Sequence, residues 1–373
     1  MKVIMIGTER RLYEEGSGSR TRIIAYGSLV EELHVIVLTK KSDNYQQTKI
    51  SHNVTLYPTQ SRSKLLYPFD AAKMGAHFRG KAISLVSAQD PFESGLAAFL
   101  LSRKIGSRLH LQVHTDFLSP YFKRESVINW FRVILGRFLL KQADCIRVVS
   151  QRIVDSIMED GIVLKQEPVV LPIYVDVDIF LRREHGTFLK RRYPQFETTI
   201  LMVNRLEREK NVLLAFRAFE KIVKQFPKTG LVVVGSGSQR TRLENFVKKK
   251  NIADRIAFEG WQDNTAPYYQ SATIFLSTSN YEGYGVSLVE AAASHLPIVT
   301  TDIGIARELL GEDGVFIGEV GRIDSIAREL ERALQDPERR EGYANRAQER
   351  MKNYLLDTDE YFNRYKDAWE KCL

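Results

Sequence analysis

Short apolar runs alternate with longer segments of helical spacing through the first half of the chain. The runs that predict strands are Lys2–Ile6, Leu33–Thr39, Val54–Tyr57, Ile83–Ser87, His110–Val113 and Ile146–Ser150. Helical spacing separates them at Arg20–Glu32, Gly95–Ile105 and Val127–Gln142. Strands that are apolar throughout suit a parallel sheet covered on both faces. The alternation therefore predicts a doubly wound α/β domain.

The pattern pauses near Leu171 and restarts in the second half. Strands are predicted at Thr199–Val203, Gly230–Val234, Ile256–Glu259, Ile274–Ser277 and Ile298–Thr300, and helices at Val212–Phe226, Ser238–Lys250 and Ser287–Ser294. We expect an N-terminal domain over 1–176, a C-terminal domain over 177–356, and a closing helix over about 357–373 that packs on the first domain. Ligands of open parallel sheets bind beyond the carboxyl ends of the strands, so two facing sheets would share a ligand across a cleft.

Composition places the chain among ordinary folded proteins. It has 373 residues, which suit two domains, and 44% of them are hydrophobic and 27% charged, which excludes a disordered or fibrous protein. No apolar run approaches the roughly 18 residues of a membrane span. The N-terminal run Val3–Ile6 is too short for a signal peptide, so a cytoplasmic protein is expected. Two cysteines, Cys145 and Cys372, predict neither a disulfide framework nor a zinc site.

Positive charge is concentrated in the first half of the chain. The whole chain has a net charge of +8, and residues 1–180 contain 24 basic and 18 acidic residues, a net of +6. This excess favours an anionic partner. Zinc-finger spacing, an aromatic RNA-binding strand and a basic heptad region are all missing from the sequence, so nucleic acid is not expected. A phosphorylated metabolite or an anionic membrane surface fits better.

Two glycine-containing loops follow predicted strands and precede predicted helices. Gly16-Ser17-Gly18 would let backbone N–H groups approach a phosphate at the helix N-terminus, although a Gly-Ser-Gly run is more often a plain turn. It lacks the lysine of a P-loop and the full dinucleotide spacing. For Gly235-Ser236-Gly237-Ser238 we favour a tight strand-to-helix turn.

The segment Asn280–Glu290 is more informative. It follows a predicted strand and opens a helix, with two glycines around Tyr284 and a carboxylate at each end, Glu282 and Glu290. One interpretation is structural, because Ser287-Leu288-Val289-Glu290 has the Ser-x-x-Glu spacing of a helix capping box. That interpretation leaves Glu282 and the paired glycines unexplained.

This segment resembles the paired-glutamate signature of the retaining sugar-nucleotide glycosyltransferases of family 4 (glycosyl transferases group 1), whose two glutamates stand eight positions apart. Asn204–Asn211 resembles the Gly-Arg-Leu…Lys-Gly segment of that family, with asparagines in place of both glycines. Leu111–Asp116 is similar to its N-domain histidine strand, and Ala293–Gly304 to the stretch after the second glutamate. The likeness covers most of the chain and is strongest over 200–317.

The resemblance implies a GT-B fold, in which two Rossmann-like domains face each other across a cleft and the second binds the donor. The activity it implies is transfer of a sugar from a nucleoside diphosphate, with retention, to a glycan or lipid-linked acceptor in cell-surface polysaccharide or glycolipid synthesis. Alternatives are a sugar-nucleotide epimerase of the same architecture and a non-catalytic nucleotide-sugar-binding protein. The proton acceptor of the retaining step is open between Glu282 and a diphosphate oxygen.

Catalytic roles are implied for four residues, His114, Arg205, Lys210 and Glu282. Arg205 and Lys210 would neutralise the departing diphosphate, although a solvated charged face is the alternative for their segment. Glu282 would contact the sugar near its anomeric carbon. His114 would contact the donor sugar, with Asp116 assisting or orienting it.

Donor binding is implied for a further set, which comprises Gly16, Ser17, Gly18, Gly285, Val286, Ser287, Leu288 and Glu290. The helix N-terminus at Val286–Leu288 would donate N–H groups to the phosphates, and Glu290 would hold the ribose hydroxyls. The nucleotide base is expected near Glu259–Gln262. No cofactor and no metal are expected, because Asp176-Val177-Asp178, although it mimics an Asp-x-Asp metal motif, is similar to the interdomain linker of the family.

The stretch Tyr121–Lys141 combines aromatic residues with Lys123, Arg124, Arg132, Arg137 and Lys141 on a helical pattern. Such helices can lie on membrane surfaces. The alternative, favoured because the cations are spread around the helix, buries Trp130, Phe131, Ile134 and Leu135 in the core. Since relatives in this family often act on lipid-linked acceptors, we nevertheless predict weak binding of the N-terminal domain to anionic bilayers at the inner membrane face.

Overall fold

The computed structural model describes residues 1–182 and 186–373. The chain forms two compact units. The first contains Met1–Pro172 and Asp357–Leu373, and the second contains Ile173–Leu356.

The first unit is built on an eight-stranded sheet of order β3-β4-β2-β1-β5-β6-β7-β8, parallel except for the pairing of β3 with β4. The strands are β1 Lys2–Gly7, β2 Glu32–Val37, β3 Thr48–Lys49, β4 Val54–Pro58, β5 Leu85–Ala88, β6 Arg108–Val113, β7 Cys145–Val148 and β8 Val169–Val170. The helices are α1 Gly18–Gly27, α2 Tyr67–Lys73, α3 Glu93–Ile105, α4 Pro120–Glu125, α5 Val127–Gln142, α6 Gln151–Glu159 and a C-terminal helix Thr358–Glu370.

The C-terminal helix closes this unit with an aromatic face. Tyr361, Tyr365 and Trp369 are buried, and the Tyr365 ring stacks on Tyr26 of α1 at 4.2 Å between centroids. Beyond the helix, Cys372 forms a disulfide with Cys145 at the start of β7, with 5.3 Å between their Cα atoms. This single bond was not expected from the sequence, because two cysteines that lie 227 positions apart give no spacing signal.

The second unit contains a fully parallel six-stranded sheet of order β11-β10-β9-β12-β13-β14. The strands are β9 Thr198–Val203, β10 Thr229–Val234, β11 Ile256–Gly260, β12 Ile274–Ser277, β13 Ile298–Thr301 and β14 Phe316–Gly318. The helices are α7 Asp178–Leu181, α8 Phe188–Arg192, α9 Val212–Ile222, α10 Arg240–Lys249, α11 Ala266–Ser271, α12 Val286–Ala293, α13 Ala306–Leu310, α14 Ile323–Gln335 and α15 Pro337–Tyr354.

The strand order of the second unit locates its binding edge. The chain runs from β9 to β10 and β11 on one side, then returns to place β12 on the other side of β9. Connections on opposite sides of two neighbouring parallel strands leave a crevice at their carboxyl ends, where ligands of open α/β sheets bind. The loops after β9 and β12 therefore flank the candidate site.

Membrane-spanning segments are not found. Within residues 1–182 and 186–373, every helix is too short or too polar to cross a bilayer.

Candidate active site

The loops after β9 and β12 are hydrogen-bonded to each other beside the crevice. The backbone N–H of Asn280 donates to the carbonyl oxygen of Glu209 at 2.7 Å. The hydroxyl of Thr278 donates to the carbonyl oxygen of Asn211 at 3.1 Å, and the Asn211 amide donates to Asn280 Oδ1 at 2.8 Å. The two loops therefore form a single preorganised framework for the side chains they carry.

Asn211 explains how this chain departs from the family pattern. Its φ is 44°, in the left-handed region, directly before the first residue of α9. Asparagine is among the few residues other than glycine that adopt this region readily. Replacing the glycine of the family pattern at this position therefore preserves the backbone shape and adds the side-chain bond to Asn280.

Lys210 and Glu282 meet at the centre of the framework. The Lys210 ammonium forms an ion pair with Glu282 Oε1, and the Ser279 hydroxyl donates to the same oxygen at 2.8 Å. Both ionic side chains are partly buried. The structure thus brings together two residues that the sequence placed in separate motifs, and Ser279 is a partner that the sequence analysis did not identify.

Arg205 lies on the same loop but faces solvent. Its side chain is 65% exposed and pairs with Glu209 at 2.8 Å. Exposed pairs of this kind contribute about 0–1 kcal/mol, so the guanidinium can exchange its partner for a phosphate at little cost. Neighbouring Glu207 instead fastens the loop, because it accepts hydrogen bonds from the backbone and hydroxyl of Ser238 at 2.9 and 2.6 Å.

The start of α12 corrects the capping-box interpretation. Gly285 is the N-cap, with a φ of 106°, so Ser287 lies inside the first turn and caps nothing. The backbone N–H of Leu288 donates to the Gly285 carbonyl at 2.9 Å, which engages one of the three N–H groups predicted to bind phosphate. Phosphate binding by the N–H groups of Val286 and Ser287 stays a prediction.

Glu290 has a different partner from the one that its spacing indicated. The hydroxyl of Tyr269 on α11 donates to Glu290 Oε2 at 2.7 Å. Burial raises the pKa of the Glu290 carboxyl from its ordinary value to about 7, although the bond from Tyr269 acts in the opposite direction. Glu290 therefore changes charge near neutral pH.

Glycines hold the surrounding loops close together. A Cβ on Gly304, whose φ is 51°, would collide with the carbonyl oxygen of Tyr284. A Cβ on Gly235 or Gly237 would likewise collide with the backbone of Asn204 or Leu206. The loop Gly235-Ser236-Gly237 is thus a tight turn against the β9 loop, in agreement with the interpretation favoured from sequence.

Glu259, near the expected site of the nucleotide base, makes hydrogen bonds to side chains of the protein itself. Its carboxylate is almost fully buried and accepts two hydrogen bonds from Arg192, at 2.7 and 2.8 Å, and others from Tyr193 and Tyr268. These bonds fasten α8 and α11 to the end of β11. Its side chain is therefore a poor candidate for reading a nucleotide base.

In the first unit, the hydroxyl of Ser17 serves as a helix cap. It accepts a hydrogen bond from the backbone of Arg20 at 3.2 Å and donates to the Arg11 carbonyl at 2.5 Å, while Gly16 adopts a φ of 75°. The plain-turn interpretation thus describes the Ser17 side chain correctly. The proposed contact of Gly16, Ser17 and Gly18 with a ligand would have to be made by the backbone.

His114 follows β6 and contacts Gln112 instead of Asp116. Its Nε2 lies 3.1 Å from Gln112 Oε1. Burial, reinforced by the charges of Arg147 and Arg22, lowers the pKa of His114 to about 3. The hypothesis that Asp116 orients His114 is wrong: the Asp116 carboxyl lies beside Ser156 and Arg152, and burial raises its pKa.

Comparison with known proteins identifies the family of the chain. The family model for glycosyl transferases group 1 matches residues 189–350, and a glycosyl transferase 4-like domain matches residues 16–173. The chain belongs to the group 1 glycosyl transferases.

Three relatives illustrate the range of the family. N-acetyl-alpha-D-glucosaminyl L-malate synthase of Bacillus anthracis is 24% identical over 86% of this chain and 85% of its own length. N-acetylgalactosamine-N,N'-diacetylbacillosaminyl-diphospho-undecaprenol 4-alpha-N-acetylgalactosaminyltransferase of Campylobacter jejuni is 26% identical over 92% of this chain and 94% of its own. The structure of Anabaena HepE in complex with UDP and glucose superposes with a TM-score of 0.79 at 16% identity, covering 99% of both chains. The fold of this glycosyltransferase is GT-B.

The Asp-x-Asp sequence of this glycosyltransferase lies at the N-terminus of a helix. Asp176 Oδ1 accepts a hydrogen bond from the backbone of Asp178 at 3.2 Å, before α7. Both aspartates are exposed. Across the two described ranges, no group of three or more His, Cys, Asp or Glu side chains is arranged to hold a metal ion.

The aromatic helix of this glycosyltransferase presents apolar side chains to solvent. Val127 and Phe131 on α5 are 73% and 61% exposed, and Trp130, Ile134 and Phe138 are each more than 40% exposed. Four of them, Val127, Phe131, Ile134 and Phe138, recur at the spacing of one helix face. The interpretation that buried Trp130, Phe131 and Ile134 in the core is wrong. We call the five side chains the α5 apolar face.

Proposed function

We propose that this glycosyltransferase retains anomeric configuration, needs no metal, and moves a sugar from a nucleoside diphosphate to a lipid-linked or glycan acceptor in cell-surface polysaccharide or glycolipid synthesis. The observation that carries the proposal is the contact of Lys210 with Glu282 in the crevice between β9 and β12. Arg205 and Glu290 stand on the same two connections, so one nucleotide sugar could meet all four side chains.

Each of these residues has a chemical task in the proposed reaction. Breaking the bond between the anomeric carbon and the diphosphate oxygen leaves negative charge on the diphosphate. Arg205 and Lys210 stabilise that charge, which is the electrostatic task that a metal performs in other transferases. Glu282, held by Lys210 and Ser279, faces the sugar. Glu290 accepts hydrogen bonds from the ribose hydroxyls. The proton of the acceptor hydroxyl passes to Glu282 or to the departing diphosphate.

The relatives support the substrate classes. The name of the Campylobacter enzyme states a diphospho-undecaprenol acceptor, and the HepE structure contains UDP and glucose. The names of both curated relatives state alpha linkages, which retention would produce from an α-linked nucleotide sugar. The name of the Bacillus anthracis enzyme states L-malate, a small acceptor, so an acceptor of that kind is the competing possibility.

A screen of nucleotide sugars by thermal unfolding tests the donor. A ligand at 100 times its dissociation constant should add about 2.7 kcal/mol to the free energy of unfolding. The donor found in this way is then incubated with undecaprenyl-diphosphate-linked glycans, and the anomeric configuration of the product is read by NMR. An epimerised sugar formed from donor alone would identify an epimerase, and binding without turnover on any acceptor would identify a non-catalytic protein.

Metal independence gives a separate prediction. Transfer should continue in EDTA, because two cationic side chains already face the leaving group, and Asp176→Asn should retain nearly full turnover. Loss of transfer in EDTA, with recovery in manganese or magnesium, would contradict the proposal.

We further propose that the α5 apolar face binds anionic membrane, which would place the enzyme at the inner membrane surface. Of the five predicted cations, Arg132 pairs with Glu93 and Arg137 with Asp160. Lys123, Arg124 and Lys141 form no ion pair with any residue in 1–182 or 186–373. Each cation near an anionic surface contributes about 1 kcal/mol, so these three give weak, salt-sensitive binding to which the apolar face adds.

Cosedimentation with vesicles checks this proposal. The protein should pellet with phosphatidylserine-containing vesicles at low salt, and less at high salt, where the Debye length falls below about 8 Å. The double variant Phe131→Ser/Ile134→Ser should bind much less. Met158→Ser/Val163→Ser, which changes two exposed apolar residues elsewhere on the same unit, is the matched control. Equal pelleting with neutral and anionic vesicles, or none with either, would favour a soluble acceptor.

A further inference from the structure

A buried arginine lies in the sheet of the first unit and has no carboxylate partner among residues 1–182 and 186–373. Arg147 on β7 is only 2% exposed. Its guanidinium donates to the carbonyl oxygens of Leu171 and Pro172 at 3.0 and 2.7 Å, to the hydroxyl of Tyr361 at 3.2 Å, and to Gln112 Oε1 at 2.8 Å. It also lies over the Tyr365 ring, 4.8 Å from the centroid. The C-terminal helix therefore supplies two of the groups that hold this charge.

Arg147 fixes the direction of the neighbouring hydrogen bonds. A guanidinium only donates, so the group of Gln112 that faces it must be the amide oxygen. The Gln112 amide nitrogen then donates to Ser87 Oγ at 3.1 Å. The Ser87 hydroxyl is also hydrogen-bonded to His110 Nδ1, 2.8 Å away. Tyr365 adds a second donor to the Gln112 oxygen at 3.2 Å.

The same rule applies to His114. Its Nε2 is 3.1 Å from the Gln112 oxygen, which can only accept, so Nε2 must carry the proton. Positive charge on the ring is disfavoured first by burial and then by the neighbouring groups Arg147, Arg22 and His110. A neutral imidazole with the proton on Nε2 has an unprotonated Nδ1.

We propose that Arg147 is a positioning residue, which acts through Gln112 to hold His114 as the neutral Nε2–H tautomer, so that His114 Nδ1 accepts a hydrogen bond from a substrate hydroxyl. His114 then orients a hydroxyl and carries no proton during transfer. The assignment of the hydroxyl to the sugar rests on the proposed function. The assignment of the tautomer is independent of that function.

Nitrogen-15 NMR of histidine-labelled protein tests the tautomer directly. The signals of His114 are assigned as those that disappear in the His114→Gln variant. We expect a protonated Nε2 and an unprotonated Nδ1, and this protonation pattern should not change between pH 6 and 8. A ring protonated on Nδ1, or on both nitrogens, at pH 7 would overturn the proposal. The measurement needs no substrate. If the protein shows the expected tautomer but transfers no sugar, only the proposed function is refuted.

Variants separate positioning from packing. In Arg147→Met the Gln112 amide is free to turn, so His114 should populate the Nδ1–H tautomer and kcat/KM should fall roughly tenfold, as for one lost hydrogen bond. Tyr365→Phe removes a donor to the same oxygen but keeps Arg147, so the tautomer should not change. If Arg147→Met does not fold, Gln112→Glu serves instead: it keeps an acceptor against Nε2 and should raise the pH at which His114 titrates. An unchanged titration, or an unchanged tautomer in folded Arg147→Met, would refute the mechanism.

Discussion

Arg205→Ala should lower turnover by a factor of about 100 or more, the usual loss when one preorganised charge partner of a transition state is removed. The diphosphate gains negative charge as the glycosidic bond breaks, so the guanidinium matters more in the transition state than in the bound donor. Its exposed pair with Glu209 is weak, and a phosphate can replace it. We therefore expect the loss mainly in kcat.

Arg208→Ala provides the matched control. Arg208 lies three residues further along the same loop, is exposed, and is not placed in the donor site, so its removal changes the net charge equally. The turnover of Arg208→Ala should stay within about twofold of wild type, in contrast to the large loss expected when Arg205 no longer stabilises the charge of the departing diphosphate. Because the Arg205 side chain is 65% exposed, neither variant should shift the unfolding temperature appreciably. Near-normal turnover of a folded Arg205→Ala would remove Arg205 from the mechanism.

The regular elements could be predicted from sequence because their signals are local. The predicted bounds of β12, Ile274–Ser277, and of α5, Val127–Gln142, agree with the structure: β12 is a short apolar run and α5 is a long segment of helical spacing. Strands β3, β8 and β14 were missed, since two or three residues are too few to show a period. The parallel sheets follow from the apolar character of their strands on both faces.

Partners distant in sequence could not be predicted. Tyr269 lies 21 positions before Glu290, and Gln112 lies 35 before Arg147, and no pattern in the chain links either pair. The capping-box interpretation failed because the left-handed Gly285 starts α12 two residues before Ser287. Only the folded chain shows that Gln112, and not Asp116, contacts His114.

The orientation of α5 illustrates a further limit. Its apolar residues surround most of the helix, so periodicity alone could not decide which side packs on the sheet. In the structure Val133, Gly136 and Leu139 face the core, and Phe131 and Ile134 face solvent. Ion pairs with Glu93 and Asp160, which the sequence could not reveal, also reduce the number of cations available to a membrane.

Donor affinity should depend on pH through Glu290. Burial raises the pKa of this carboxyl to about 7, and ribose hydroxyls, which donate, bind the ionised form more strongly than the protonated one. Below pH 7 the donor therefore competes with a proton, so its dissociation constant should rise, by at most about tenfold per pH unit. Between pH 8 and pH 6 we expect a weakening of about tenfold, measured by calorimetry with the intact nucleotide sugar, whose diphosphate has no terminal group that titrates in this range.

Two variants assign this pH dependence to Glu290. Glu290→Gln should bind the nucleotide sugar more weakly at pH 8 and show little change down to pH 6, because its amide does not titrate. Tyr269→Phe removes the hydrogen bond that lowers the Glu290 pKa, so the inflection should move to higher pH. Because the pKa of His114 is near 3, that residue does not contribute in this range. If wild type and Glu290→Gln show the same slope against pH, Glu290 is not the titrating group, and if they also bind the nucleotide sugar equally at pH 8, Glu290 does not hold the ribose.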